Sequence, residues 1–88
     1  MTELEKINAR LDLQVAEMQL KDIKRAVAET DEASKKLSTV FDILCSIDTN
    51  VAATLAEILP KINELEIACY KLVNKCTAEV CKARKDLQ

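Results

Sequence analysis

Apolar side chains set the rhythm of this chain from Ala33 onward. Ala33, Leu37, Val40, Leu44, Ile47, Val51, Leu55, Ile58, Ile62, Leu65, Cys69, Leu72, Cys76, Val80 and Ala83 follow one another at steps of three or four residues without a miss. The mean step is about 3.57 residues, between the strict heptad at 3.5 and the straight helix at 3.6. Such a stripe predicts one long amphipathic helix. Phe41, Ile43, Leu59 and Val73 widen it, which suits bundle packing better than a narrow two-stranded seam.

The first thirty residues carry a different pattern. Thr2-Glu3-Leu4-Glu5 fits a capping box and marks a helix start. At about 100° per residue, Leu4, Ile7, Leu11, Val15 and Met18 share one face. Asp22, Arg25 and Glu29 continue that face, while the apolar side moves across to Ala9, Leu13, Ala16, Leu20, Ile23 and Val27. A helix whose two ends offer opposite faces is expected to meet different neighbours.

The expected architecture is all-α: a helical hairpin of a shorter and a long kinked helix, associating into a coiled-coil-like bundle. Its segments are 1–30, the helix whose face switches sides, and 31–88, the long helix. The connection falls near residues 28–32, where the buried face jumps between Val27 and Ala33 and where Thr30 or Asp31 can cap a new helix. Arms of roughly 40 and 80 Å follow from a 1.5 Å rise. Pro60 costs about 3 kcal/mol inside a helix. The apolar phase passes it unshifted, so a kink is expected there rather than a stop. The alternative is a turn at Asp48-Thr49-Asn50, with Asn50 as N-cap, giving three helices. Lys82 to Gln88 reads as helix without a stop signal, as in an N-terminal oligomerisation segment of a longer protein.

Composition agrees with helix and removes most chemistry. There is no Gly, Trp or His, and one Pro, in 88 residues. Gly is the usual residue for left-handed turns and helix ends, and no phosphate-cradling loop can be built without it. Thirteen Lys and Arg against fifteen Asp and Glu leave a net charge of −2. No basic face with interleaved aromatics exists for nucleic acid. The polar face is mixed in sign and the apolar face aliphatic, unlike a membrane-surface helix. No run approaches the ~18 apolar residues of a span, and the acidic start is not a signal peptide.

The cysteines are the remaining candidates. Cys69 and Cys76 lie on the stripe, with Cys45 and Cys81 at its flank. Without His or a Cys-x-x-Cys pair, zinc would need thiolates from several chains. A catalytic thiol would need a base or an electropositive pocket. Packing as small hydrophobes is the expected role, with the thiols reduced in a cytoplasmic or other intracellular setting, a virion interior included. Glu17–Lys21, Glu57–Lys61, Asp31–Lys35 and Glu32–Lys36 read as helix-supporting pairs.

No catalytic residue, cofactor or metal site is expected, and the chain is not expected to be an enzyme. The expected function is an oligomerisation or structural scaffold, a homo-oligomer (dimer or tetramer) with no nucleic-acid or membrane partner. Its packing interface is Leu37, Val40, Leu44, Ile47, Val51, Leu55, Ile58, Ile62, Leu65, Cys69, Leu72 and Cys76. A second interface is Leu4, Ile7, Leu11, Val15 and Met18. The alternative is a small helical adaptor, subunit or inhibitor whose stripe binds a different protein.

Overall fold

A computed structural model describes residues 2–88; Met1, the first residue of the expected N-terminal segment, lies outside them. Two helices make up the fold: α1 (Glu3–Cys45) and α2 (Thr49–Asp86). They pack along each other as a hairpin, with a Cα trace measuring 67 × 14 × 14 Å. The expected all-α hairpin is what forms, but its turn sits elsewhere.

α1 starts as the sequence indicates. Thr2 is extended and its Oγ1 accepts the Glu5 amide at 3.1 Å. That bond satisfies one of the amides left unpaired by the first turn. The helix then runs through residues 28–32, where a connection was expected. Thr30 caps nothing: its hydroxyl donates back to the Ala26 carbonyl at 2.7 Å, inside the helix. Ala26, Ala28 and Glu29 favour continuation. The jump of the apolar face has a simpler origin. Positions on the side of α1 toward α2 alternate steps of four and three, Ala9, Leu13, Ala16, Leu20, Ile23, Val27, Thr30, Ser34, Leu37, Phe41 and Leu44, all buried or half-buried. Thr30 and Ser34 are polar members of that row, so an apolar count sees a gap where the backbone has none.

The chain reverses at Ser46-Ile47-Asp48. The Ser46 amide donates to the Ile43 carbonyl at 3.2 Å and its hydroxyl to the same oxygen at 2.7 Å, while the Ile47 and Asp48 amides donate to the Leu44 carbonyl at 3.0 and 2.8 Å. Asp48, not Asn50, is the N-cap of α2. It is extended, and its Oδ1 accepts from the Asn50 amide at 2.9 Å and the Val51 amide at 3.4 Å. No described residue has positive φ. Helical Ser46, then Ile47 and the extended cap Asp48, close the turn, so the missing glycine does not forbid it. The arms are therefore 43 and 38 residues, not thirty and fifty-eight. Asp48→Ala removes both capping bonds and should cost about 1 kcal/mol, read as a lower melting temperature with unchanged helical content.

α2 carries its own strict alternation of three and four: Ala52, Leu55, Leu59, Ile62, Glu66, Cys69, Val73, Cys76, Val80, Ala83 and Leu87 are buried or half-buried. Pro60 is exposed and α2 continues through it as one helix. Its ring still forfeits an internal hydrogen bond. Pro60→Ala should therefore stabilise the hairpin by about 1–3 kcal/mol, seen as a shift of the unfolding midpoint upward.

Candidate interaction surfaces

Two helices enclose little. Ala16, Ala52, Cys69 and Val80 are the buried side chains among the described residues, and none of them is large. The accessible surface is 6808 Å². A compact folded monomer of 9.8 kDa would expose roughly 5,200 Å². Rod shape accounts for part of that surplus. It does not account for the chemistry of what is exposed.

The expected packing stripe is split in two by the fold. Leu37, Leu44, Leu55, Ile62, Cys69 and Cys76 turn inward, onto the other helix of the same chain. Val40, Ile47, Val51, Ile58, Leu65 and Leu72 remain exposed, Ile47 most of all at 74%. The physical reason is an offset of faces: the seam row of α2, Ala52, Leu55, Leu59, Ile62, Glu66, Cys69, Val73 and Cys76, shares only Leu55, Ile62, Cys69 and Cys76 with the stripe, so the other members fall to one side of it.

The two sides of the hairpin differ in character. On one, the Arg84 guanidinium meets Glu17 Oε1 at 3.4 Å, and the Tyr70 hydroxyl donates to Asp31 Oδ2 at 3.2 Å. Glu17 to Asp31 is two heptads along α1, and Tyr70 to Arg84 is two heptads back along α2, so both contacts occur at equivalent levels. They pin one register. Glu17 thus reaches across the hairpin to Arg84, where a pair with Lys21 in its own helix was expected. Both contacts join residues far apart in sequence, and only the placement of the turn brings them together.

Asp31 leaves a signature. Its negative charge, its acceptance of the hydroxyl and, less, the Glu66 charge raise the pKa of Tyr70 above the ordinary 10.0. The folded state therefore holds this proton more tightly than the unfolded chain does. The contribution is intact below pH 10 and is lost as pH rises through the folded-state value. This is the one Tyr in a chain without Trp, so phenolate absorbance titrates a single group. The titration should move toward 10.0 in Asp31→Asn.

The opposite side is apolar near the turn and acidic near the open end. Val40, Leu44, Asn50, Val51, Thr54, Leu55 and Ile58 line a shallow groove of about 480 Å³ shared by both helices. Further along, a groove of about 340 Å³ is lined by Asp12, Gln19, Glu79, Lys82 and Asp86 around Val15, Ala16 and Ala83. The remaining apolar surface is the expected second interface. Leu4 (68% exposed), Ile7, Leu11, Val15 and Met18 (66%) are uncovered, and lie about half a turn from the α1 seam.

No group of three or more metal-binding side chains occurs among the described residues, and no helix is long and apolar enough to cross a membrane. Cys45, Cys69, Cys76 and Cys81 are free thiols. The site is thus a pair of apolar protein surfaces on an antiparallel two-helix hairpin. No family model matches the chain, and neither a curated protein nor a solved structure does.

Proposed function

We propose that this chain is a non-enzymatic structural module that assembles copies of itself into a coiled-coil-like helical bundle, a dimer or tetramer. The observation that carries the reading is the exposed row Val40, Ile47, Val51, Ile58, Leu65 and Leu72 beside a seam whose buried members are all small or medium-sized. Leaving a Leu, Ile or Val side chain in water forgoes about 1.5–3 kcal/mol compared with burying it. A hairpin with so thin a core gains stability chiefly by covering that row. The free thiols are compatible with work in a reducing compartment such as the cytoplasm.

The test is molar mass by sedimentation over a hundredfold range of concentration, with thermal melts at both ends. Self-association predicts at least twice the 9.8 kDa chain mass and a melting temperature that climbs with concentration. A mass of one chain throughout, with a concentration-independent melt, rules it out.

A second reading, a helical adaptor for a different protein, draws on the α1 face of Leu4, Ile7, Leu11, Val15 and Met18. This face points away from the seam, and a contact made at the turn end leaves it uncovered. An amphipathic partner helix would lie along it. Leu11→Asp with Met18→Asp should then abolish capture of that partner without changing the mass of the isolated protein.

A further inference from the structure

Resting on the self-association reading, we infer which surface receives the second copy and in which direction it lies: two hairpins stack through their turn-end apolar sides, antiparallel, as a two-fold four-helix bundle. The surface runs level by level down the hairpin. Starting at the turn, it pairs Ile47 with Val51, Val40 with Ile58, Ala33 with Leu65 and Ala26 with Leu72, each level seven residues from the last on both helices and every member exposed. The next levels are Gln19 with Glu79 and Asp12 with Asp86. The apolar run is therefore about 30 Å long and ends where the acids begin.

Side-chain size on α1 is compatible with the antiparallel direction. From the turn outward its members shrink from Ile47 and Val40 to Ala33 and Ala26. A two-fold axis crossing the middle of the run lays α1 over α1 in opposite senses. Ile47 then meets Ala26 of the second copy, and Val40 meets Ala33. Large falls on small at both α1 levels, as close packing favours. On α2 the same operation sets Val51 over Leu72 and Ile58 over Leu65.

Charge selects the same direction. A parallel stack would lay the open ends together and bring Asp12, Glu79 and Asp86 of one copy against the same three of the other, with Lys82 beside them and Lys6 and Arg10 near Asp86. Like charges facing across a contact are destabilising. The antiparallel stack carries each acidic end beyond the turn of its neighbour and into solvent. Lys36 and Lys61 come near the axis at the rim, where their stems lie along the apolar surface and their ammonium groups stay in water.

A closed two-fold contact uses the surface on both copies and leaves nothing to propagate.

The experiment uses the intact chain. Spin labels on native Cys81, exposed near the open end, in a Cys45→Ser, Cys76→Ala background should lie about 60 Å apart in the antiparallel bundle. A separation under about 35 Å means parallel stacking and overturns the proposal. Val40→Asp with Ile58→Asp should halve the molar mass while keeping the helical circular dichroism, whereas Leu11→Asp should leave the mass alone. A wild-type protein that self-associates, with an unaltered mass in the double variant, assembles through some other surface; that result defeats this inference and spares the self-association reading. A wild-type mass of one chain defeats both and leaves the surface to a different protein.

Discussion

Val80→Asp should unfold the hairpin. Val80 is 3% exposed and lies on the seam, sharing a groove with Leu20 near the Glu17–Arg84 contact. A carboxylate buried at such a position costs about 3 kcal/mol or more in desolvation, which Lys21 and Lys24 at the groove's rim offset only in part. A domain of this kind is stabilised by about 5–15 kcal/mol in all, and a core with no large buried side chain belongs at the low end of that range. Far-ultraviolet circular dichroism at micromolar concentration should show most of the helical signal gone at 37 °C. Val80→Ala is the companion measurement: it leaves a small cavity, costs about 2 kcal/mol, and should lower the melting temperature while the fold persists. A Val80→Asp protein melting within a few degrees of wild type would mean that the seam is not where the two helices meet.

The second large effect separates two isoleucines four residues apart. Ile62 is half-buried on the seam; Ile58 is 45% exposed on the apolar side. Ile62→Asp sets a charge against α1 and should reduce stability by about 3 kcal/mol or more, with loss of helix. Ile58 packs only at the rim of the seam, so Ile58→Asp should cost the isolated hairpin less than Ile62→Asp does, about 1 kcal/mol. Its effect should fall on assembly instead, as lower mass at a given concentration. Equal behaviour of the two variants, in helicity and in mass together, would show that the stripe acts as one surface after all. Glu57→Ala and Glu64→Ala, both exposed, should do little in either measurement.

These two residues also mark how far sequence reasoning reached. Both belong to an unbroken apolar stripe, and nothing in the pattern distinguishes them. Their division needs the position of the turn and the period of the packed seam. The turn itself was half legible. Asp48-Thr49-Asn50 was visible as a run of poor helix formers, but an uninterrupted apolar phase favoured continuity, and Thr30 with Asp31 offered a rival cap. A phase can persist across a turn, because residues on both sides of it must face the same neighbour. The role of Asp31 is hidden from local pattern for the same reason: its partner, Tyr70, is thirty-nine residues away. Glu17 and Arg84 are farther apart still.

The amino-acid sequence alone determined that this protein is helical, that its helix begins at Thr2, that it bypasses Pro60 and that aliphatic faces exceed what it can bury alone. Those properties follow from local propensity and from the 3.6-residue turn, which act over a few neighbouring residues. Tertiary structure decided where the chain reverses, which stripe members are spent on the seam and which remain exposed. The missing glycine limited the kinds of turn available. It left open one that passes from helical Ser46 through Ile47 to the extended cap Asp48, and the packing of α1 on α2 selected that turn.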